Sequence, residues 1–174
     1  MRYRSFGVLL ALVLLAGCHQ APREQASPPV TLVPLTHEQW QERIPAYAGN
    51  IVVVDFWATW CTPCVERFPK MLAMSERYRD RGVRFVSMCM EDRDDHAAVA
   101  GARRFLSEKH ATIDNFLLDE PLLDGFKSFN LLSIPAVYLY DRTGALTARL
   151  TADDPNHQFD ESDVQSALEA MLER

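Results

Sequence analysis

Two cysteines three positions apart, Cys61 and Cys64, are the residues of this sequence best placed to do chemistry. They follow an apolar run that predicts a buried strand, and they open a segment that predicts a helix. At a helix N-terminus the unpaired N–H groups and the positive end of the dipole favour a thiolate, so Cys61 is expected to be an exposed attacking sulfur. Cys64 lies one turn further on, more buried, close enough to form a disulfide with Cys61 and to resolve a mixed disulfide. Pro63 restricts φ in the first turn, where a missing N–H costs least.

The same cysteine spacing also supplies half of many zinc sites. A structural zinc needs a second pair of ligands, and neither Cys89 nor His96 and His110 stands at a matching spacing. We therefore expect no metal and no other cofactor. Cys89 lies between Met88 and Met90 on a predicted strand whose neighbouring residues face opposite ways, so it is predicted to be a free thiol in the core.

The elements around the two cysteines alternate between strand and helix. Strands are predicted over 51–56, 83–90, 116–118, 136–140 and 146–151, and helices over 36–47, 62–79, 95–109, 122–129 and 160–172. This order predicts an α/β fold whose mixed sheet has helices on both faces. The acidic run from Glu91 to Asp95 is interpreted as the solvated start of a helix.

The segment 54–64, V-D-F-W-A-T-W-C-T-P-C, resembles the active-site stretch of thioredoxins. Together with the N-terminal signal described below, it is similar to the TlpA/ResA group of membrane-anchored thiol-disulfide oxidoreductases. The resemblance implies a thioredoxin-like fold with an extra strand-helix insertion before a cis-proline loop. It also implies reversible dithiol-disulfide exchange, in which Cys61 is the nucleophile and Cys64 the resolving cysteine.

Asp55, six positions before Cys61, matches the buried acid of thioredoxins. Burial of a carboxylate raises its pKa, which suits it to exchange a proton with Cys64; the alternative is that Asp55 ends the strand and meets water. The sequence departs from the group at Arg67, where many members carry a glutamate three positions after the second cysteine. Glu66 is rotated by about 100° on the helix and does not simply replace that glutamate.

Ile134 and Pro135 match the cis-proline loop that faces the disulfide in this group, although an ordinary trans proline before a strand is an alternative. The resemblance implies that the backbone of Ile134 pairs with the partner polypeptide and that Pro135 keeps metals away from the thiols. Trp60, Thr62 and Pro63 surround the cysteines and complete the expected substrate-binding residues.

The N-terminus has the features of a bacterial export signal. Arg2 and Arg4 precede the apolar run Val8–Leu15, which is shorter than the roughly 20 residues of a membrane-spanning helix. The run ends in L-A-G-C, which resembles the lipobox of lipoproteins, and a plain signal peptide with a chance cysteine is the alternative. The lipoprotein interpretation divides the chain into a signal peptide at 1–17, a lipidated Cys18 and flexible tether at 18–29, and a thioredoxin-like domain at 30–174.

Charge and composition limit the remaining functions. Acidic residues outnumber basic ones 24 to 18, for a net charge of -6, so nucleic acid is not expected as a partner. We predict a monomeric, lipid-anchored, extracytoplasmic oxidoreductase that reduces partner proteins through a transient mixed disulfide and receives electrons from a separate donor. The alternative is a non-catalytic lipid-anchored interaction module in which Cys61–Cys64 is a structural bridge.

Overall fold

The computed structural model describes residues 30–153, 156 and 158–174. The predicted signal peptide, Cys18 and the whole of the predicted tether lie outside these residues. Within the described part of the chain, no helix combines the length and the apolar character that crossing a membrane requires.

Six strands form one mixed sheet. The strands are β1 (Val33–Leu35), β2 (Ile51–Trp57), β3 (Val83–Cys89), β4 (Asp114–Leu118), β5 (Ala136–Tyr140) and β6 (Leu146–Thr151). Their order is β1-β4-β3-β2-β5-β6, in which the first four are parallel and β5 and β6 are antiparallel to their neighbours. The mixed α/β sheet is confirmed, and β4 is the extra strand, inserted between β1 and β3. β1 is absent from the sequence prediction because three residues are too few to show an alternating pattern.

The described residues form five α-helices, of which the first four connect strands and the fifth follows the last strand. They are α1 (His37–Arg43), α2 (Thr62–Tyr78), α3 (His96–Glu108), α4 (Leu122–Ser128) and α5 (Glu161–Leu172), with 3-10 turns at Ile44–Tyr47 and Arg79–Arg81. Three of the predicted helix starts are confirmed, because the side chains of Thr36, Asp95 and Asp160 accept hydrogen bonds from the first turns of α1, α3 and α5, respectively. These caps satisfy N–H groups that have no partner inside the helix.

The helices cover both faces of the sheet. Phe56 and Trp57 are neighbours on β2 and so point to opposite faces. Phe56 contacts Phe129, at the end of α4, while Trp57 contacts Phe68 of α2 and Phe105 of α3. The two cysteines of the C-x-x-C motif therefore follow the end of β2, a strand that is buried along its whole length in a sheet covered on both faces.

Candidate active site

Cys61 and Cys64 form a disulfide at the N-terminus of α2, with their Cα atoms 5.3 Å apart. Cys61 has an extended backbone and occupies the N-cap position of the helix, and Pro63 lies in the first turn. Cys64 is fully buried, as expected. Cys61 is only 5% exposed, so the prediction of an open sulfur is wrong for this oxidised form: the disulfide joins the hydrophobic core beneath the loop.

The Ile134–Pro135 peptide bond is cis. Ala136, the next residue, pairs with Phe56 of β2, so the loop ends beside the strand that leads to Cys61. Pro135 is buried and Ile134 is half-buried. The structure thus places the cis-proline loop, which the resemblance to thioredoxins implied, at the same edge of the sheet as the disulfide.

Exposed side chains surround this edge. Trp60 is 55% exposed, and Thr62 and Pro63 are also exposed at the helix start. Leu132, three residues before the cis-proline, is 83% exposed, which the sequence analysis did not single out. These exposed apolar side chains, which flank the cysteines or precede the cis-proline in the chain, are available to contact another polypeptide.

Asp55 points into the covered interior of the sheet rather than into water. Its Oδ1 atom accepts a hydrogen bond of 2.6 Å from Nη2 of Arg67, and the two side chains are 3% and 7% exposed. Burial raises the pKa of the Asp55 carboxyl, while the positive charge of Arg67 and its hydrogen bond oppose part of that rise. The residue that departs from the family pattern is therefore the ion-pair partner of the buried acid.

The Asp55–Arg67 pair places one charge on β2 and the other on α2. Arg67 lies three residues after Cys64, hence on the same face of the helix. Its guanidinium also lies against the ring of Phe159, 4.7 Å from the ring centre, in the segment before α5. The sequence spacing shows that Arg67 lies one helical turn after Cys64. It does not show that Asp55 of β2 lies within hydrogen-bond distance of Arg67.

Glu91 is buried, although the sequence predicted it to be exposed to solvent. It was interpreted as part of a solvated acidic run, yet it is 1% exposed. Its Oε1 atom accepts hydrogen bonds from both the N–H and the hydroxyl of Thr59, each 2.6 Å long. Because Thr59 lies in the loop before Cys61, Glu91 ties the end of β3 to that loop.

Cys89 is a buried free thiol, as predicted. Burial raises its pKa to about 12, so the thiolate needed for disulfide exchange is scarce at neutral pH. No three His, Cys, Asp or Glu side chains among the described residues are grouped so that they could hold a metal ion.

Known proteins resemble this chain over most of its length. A thiol-disulfide oxidoreductase ResA from Bacillus thuringiensis subsp. konkukian is 23% identical over 115 residues, which cover 66% of this chain and 62% of that protein. The thioredoxin-like protein YneN of Bacillus subtilis is 28% identical over 106 residues, which cover 56% of this chain and 54% of the relative. The chain thus spans less than two thirds of each relative.

The solved structures agree on the fold. The thioredoxin domain of a thiol-disulfide oxidoreductase from Bacteroides vulgatus superposes with a TM-score of 0.58 at 20% identity, over 73% of this chain and 82% of that one. Residues 24–168 match the model of the family described as Redoxin, which is more than half of the chain. This chain belongs to the Redoxin family, has a thioredoxin-like fold and is similar to ResA-type thiol-disulfide oxidoreductases.

Proposed function

We propose that this protein is a thiol-disulfide oxidoreductase that reduces disulfides of extracytoplasmic partner proteins. The observation that carries the proposal is the Cys61–Cys64 disulfide at the start of α2, beside the cis-proline loop at the same sheet edge. The family match and the ResA-type relatives support the same chemistry.

The proposed reaction begins with the reduced protein. The Cys61 thiolate attacks a disulfide of the partner, forms a mixed disulfide and releases one partner sulfur as a thiolate. Cys64 loses its proton and its thiolate attacks the Cys61 sulfur, which closes the Cys61–Cys64 bond and releases the second partner sulfur. The partner gains two electrons and two protons, and a separate dithiol donor must return two electrons to the protein.

Asp55 is the proposed proton acceptor for Cys64. It is buried, and Phe56, the residue after it, has its carbonyl oxygen 4.0 Å from the Cys64 sulfur. A carboxyl with a raised pKa takes up and returns a proton near neutral pH more readily than an ordinary aspartate. Trp60, Thr62, Pro63 and Ile134 are the proposed contacts of the partner polypeptide, because they stand at the surface around the disulfide or at the cis-proline loop.

The first experiment measures the redox equilibrium of the full chain in glutathione buffers, following the Cys61–Cys64 pair by thiol alkylation and mass spectrometry. A potential at or below roughly -220 mV is expected for a reductase, and one near about -120 mV would make the protein a disulfide donor instead. A pair that does not exchange within minutes would favour the interaction module with a structural bridge.

A second experiment identifies partners by trapping. A Cys64→Ser variant keeps the attacking sulfur and cannot resolve the mixed disulfide, so it should accumulate covalent complexes that dissolve on reduction. The matched control, Cys61→Ser, removes the attacking sulfur and should trap none. Equal yields from the two variants would contradict the assigned roles.

The anchor is tested separately. We propose that Cys18 is lipidated and tethers the domain to the extracytoplasmic side of a bacterial membrane, because the segment before it resembles a lipobox. The full chain should then pellet with membranes, and a Cys18→Ala variant should lose the lipid mass and enter the soluble fraction.

A further inference from the structure

We propose that Arg67 is a positioning residue that binds one oxygen of Asp55 and leaves the other oxygen as the acceptor of the Cys64 proton. This inference rests on the proposed function and deepens it, because it assigns a role to the residue at which the chain departs from its family. It is carried by the geometry of the buried pair and by the atoms that the pair leaves without partners.

The positive charge of Arg67 stabilises the ionised form of Asp55. A guanidinium stays protonated in proteins, so Arg67 is a permanent positive charge next to Asp55. The 2.6 Å contact between Nη2 and Oδ1 is buried on both sides. Without this charge a carboxyl at such depth would hold its proton, since burial disfavours the ionised form. Arg67 therefore keeps Asp55 able to lose a proton.

The pair is satisfied on one side only. Arginine and carboxylate commonly form two parallel hydrogen bonds. Here a single bond joins them, and Oδ2 of Asp55 and both Nε and Nη1 of Arg67 are buried without a hydrogen-bond partner among the described residues. A buried polar atom without a partner is destabilising, so a pair kept for stability alone would be expected to satisfy these atoms. Oδ2 is the open acceptor that proton transfer needs.

The helix relates this acceptor to the cysteine. Cys64 and Arg67 stand three positions apart on α2, so they share a face, and the Cys64 sulfur lies over the backbone of Phe56, next to Asp55. Phe159 packs against the other side of the guanidinium. Arg67 is thereby held between the ring and the carboxylate, away from salt ions that would screen its charge.

The proton transfer occurs in the second half of the reaction. The Cys64 thiol gives its proton to Oδ2, and the thiolate attacks the Cys61 sulfur of the mixed disulfide. The Cys61–Cys64 bond forms, the bond between Cys61 and the partner breaks, and the electron pair leaves with the partner sulfur. Asp55 then returns its proton to solvent or to the leaving thiolate, so Arg67 again faces a carboxylate.

The test uses the reduced full chain with Cys18→Ser and Cys89→Ala, mixed with the chromogenic disulfide dithiobis(nitrobenzoate). Attack by Cys61 releases one coloured thiolate, and resolution by Cys64 releases the second. The first phase reports Cys61, and the second reports the step assigned to Asp55 and Arg67. Both rate constants are measured against pH for each variant.

Arg67→Gln should slow the second phase at pH 7 by about tenfold or more, because an opposite charge nearby typically shifts a carboxyl pKa by about 1–3 units. The midpoint of its pH profile should move upward, and the first phase should stay close to that of the parent. Arg67→Lys, which keeps the charge, should recover most of the rate. Arg81→Gln, which breaks the exposed pair between Arg81 and Glu169, is the matched control and should change neither phase.

Phe159→Leu provides a variant that leaves both charges in place. It exposes the guanidinium to water and salt ions that screen its charge, so the midpoint of the second phase should move upward, in the same direction as for Arg67→Gln but by less. If the parent shows two fast phases but the profile of neither Arg67→Gln nor Phe159→Leu moves, the role of Arg67 is overturned and the proposed function stands. If the parent shows no fast first phase, both are overturned.

Discussion

Replacing Glu91 by alanine is expected to loosen the loop that leads to Cys61, the proposed attacking cysteine. Glu91 follows β3, is 1% exposed, and accepts two hydrogen bonds of 2.6 Å from Thr59. Thr59 stands two residues before Cys61. Glu91→Ala removes both bonds at once and separates the loop from the end of β3.

The magnitude follows from the number and type of bonds lost. A hydrogen bond to a charged group contributes about 1.5–3 kcal/mol. Thr59 is half-buried, so water replaces part of what its N–H and hydroxyl lose. We therefore expect Glu91→Ala to lower the free energy of unfolding by about 3 kcal/mol, near the sum of two bonds at the low end of that range. Thr59→Val removes only the hydroxyl bond and should cost about half as much.

Urea unfolding of the oxidised full chain measures these differences, provided that the slope with denaturant is unchanged. Glu108→Ala, an exposed substitution of the same type at the end of α3, is the control and should change the free energy by no more than about 0.5 kcal/mol. If Glu91→Ala unfolds within about 1 kcal/mol of the parent, the hydrogen bonds to Thr59 do not hold the loop. The double variant Glu91→Ala/Thr59→Val should lose less stability than the sum of the two single variants, because both remove the same hydrogen bond. Additive losses would refute this assignment.

Three further substitutions or probes test the core, a helix and a surface ion pair. Cys89, whose pKa burial raises to about 12, should react with iodoacetamide at pH 8 at least about a hundredfold more slowly in the folded chain than after unfolding, by mass spectrometry; equal rates would contradict its burial. Gly125→Ala in α4 would place a Cβ 2.2 Å from a methyl carbon of buried Leu118, so it should lower the free energy of unfolding by about 1–3 kcal/mol despite the better helix propensity of alanine, and a rise in Tm would count against the packing described. Hydrogen bonds, chiefly from Arg81, lower the pKa of Glu169, so its contribution to stability is present above pH 4.5 and is lost as pH falls through the folded-state pKa; Glu169→Gln should therefore flatten the acid limb of a plot of stability against pH, and parallel curves would disprove the assignment.

Most secondary structure was predictable because local patterns carry it. The hairpin strands Ala136–Tyr140 and Leu146–Thr151 were predicted with the bounds that the structure has, since an apolar run and an alternating run flank the turn-forming residues Asp141–Gly144. The helix from Glu161 to Leu172 was predictable from its Asp160 cap and its apolar period. β1 was not, because a three-residue edge strand becomes recognisable only when it pairs with β4.

The part of the candidate site that lies in one short segment of the chain was predictable from the sequence. The motif around Cys61 and Cys64 is contiguous, and its place between a strand and a helix follows from hydrophobic periodicity. Asp55 could be expected to be buried because the strand around it is apolar throughout. The exposure of Cys61 was misjudged, since helix-start chemistry favours access but the packing of the disulfide against the core decides it.

The sequence by itself therefore determined which two residues form the disulfide, because a C-x-x-C pair at a helix start needs only local chain geometry. The tertiary structure alone decided what surrounds them. Arg67 of α2 forms an ion pair with Asp55 of β2. Glu91, which follows β3, accepts a hydrogen bond from Thr59, which follows the neighbouring parallel strand β2. These partners lie 12 and 32 residues apart in the chain, and their contacts depend on strand order and helix packing, which short-range periodicity does not encode.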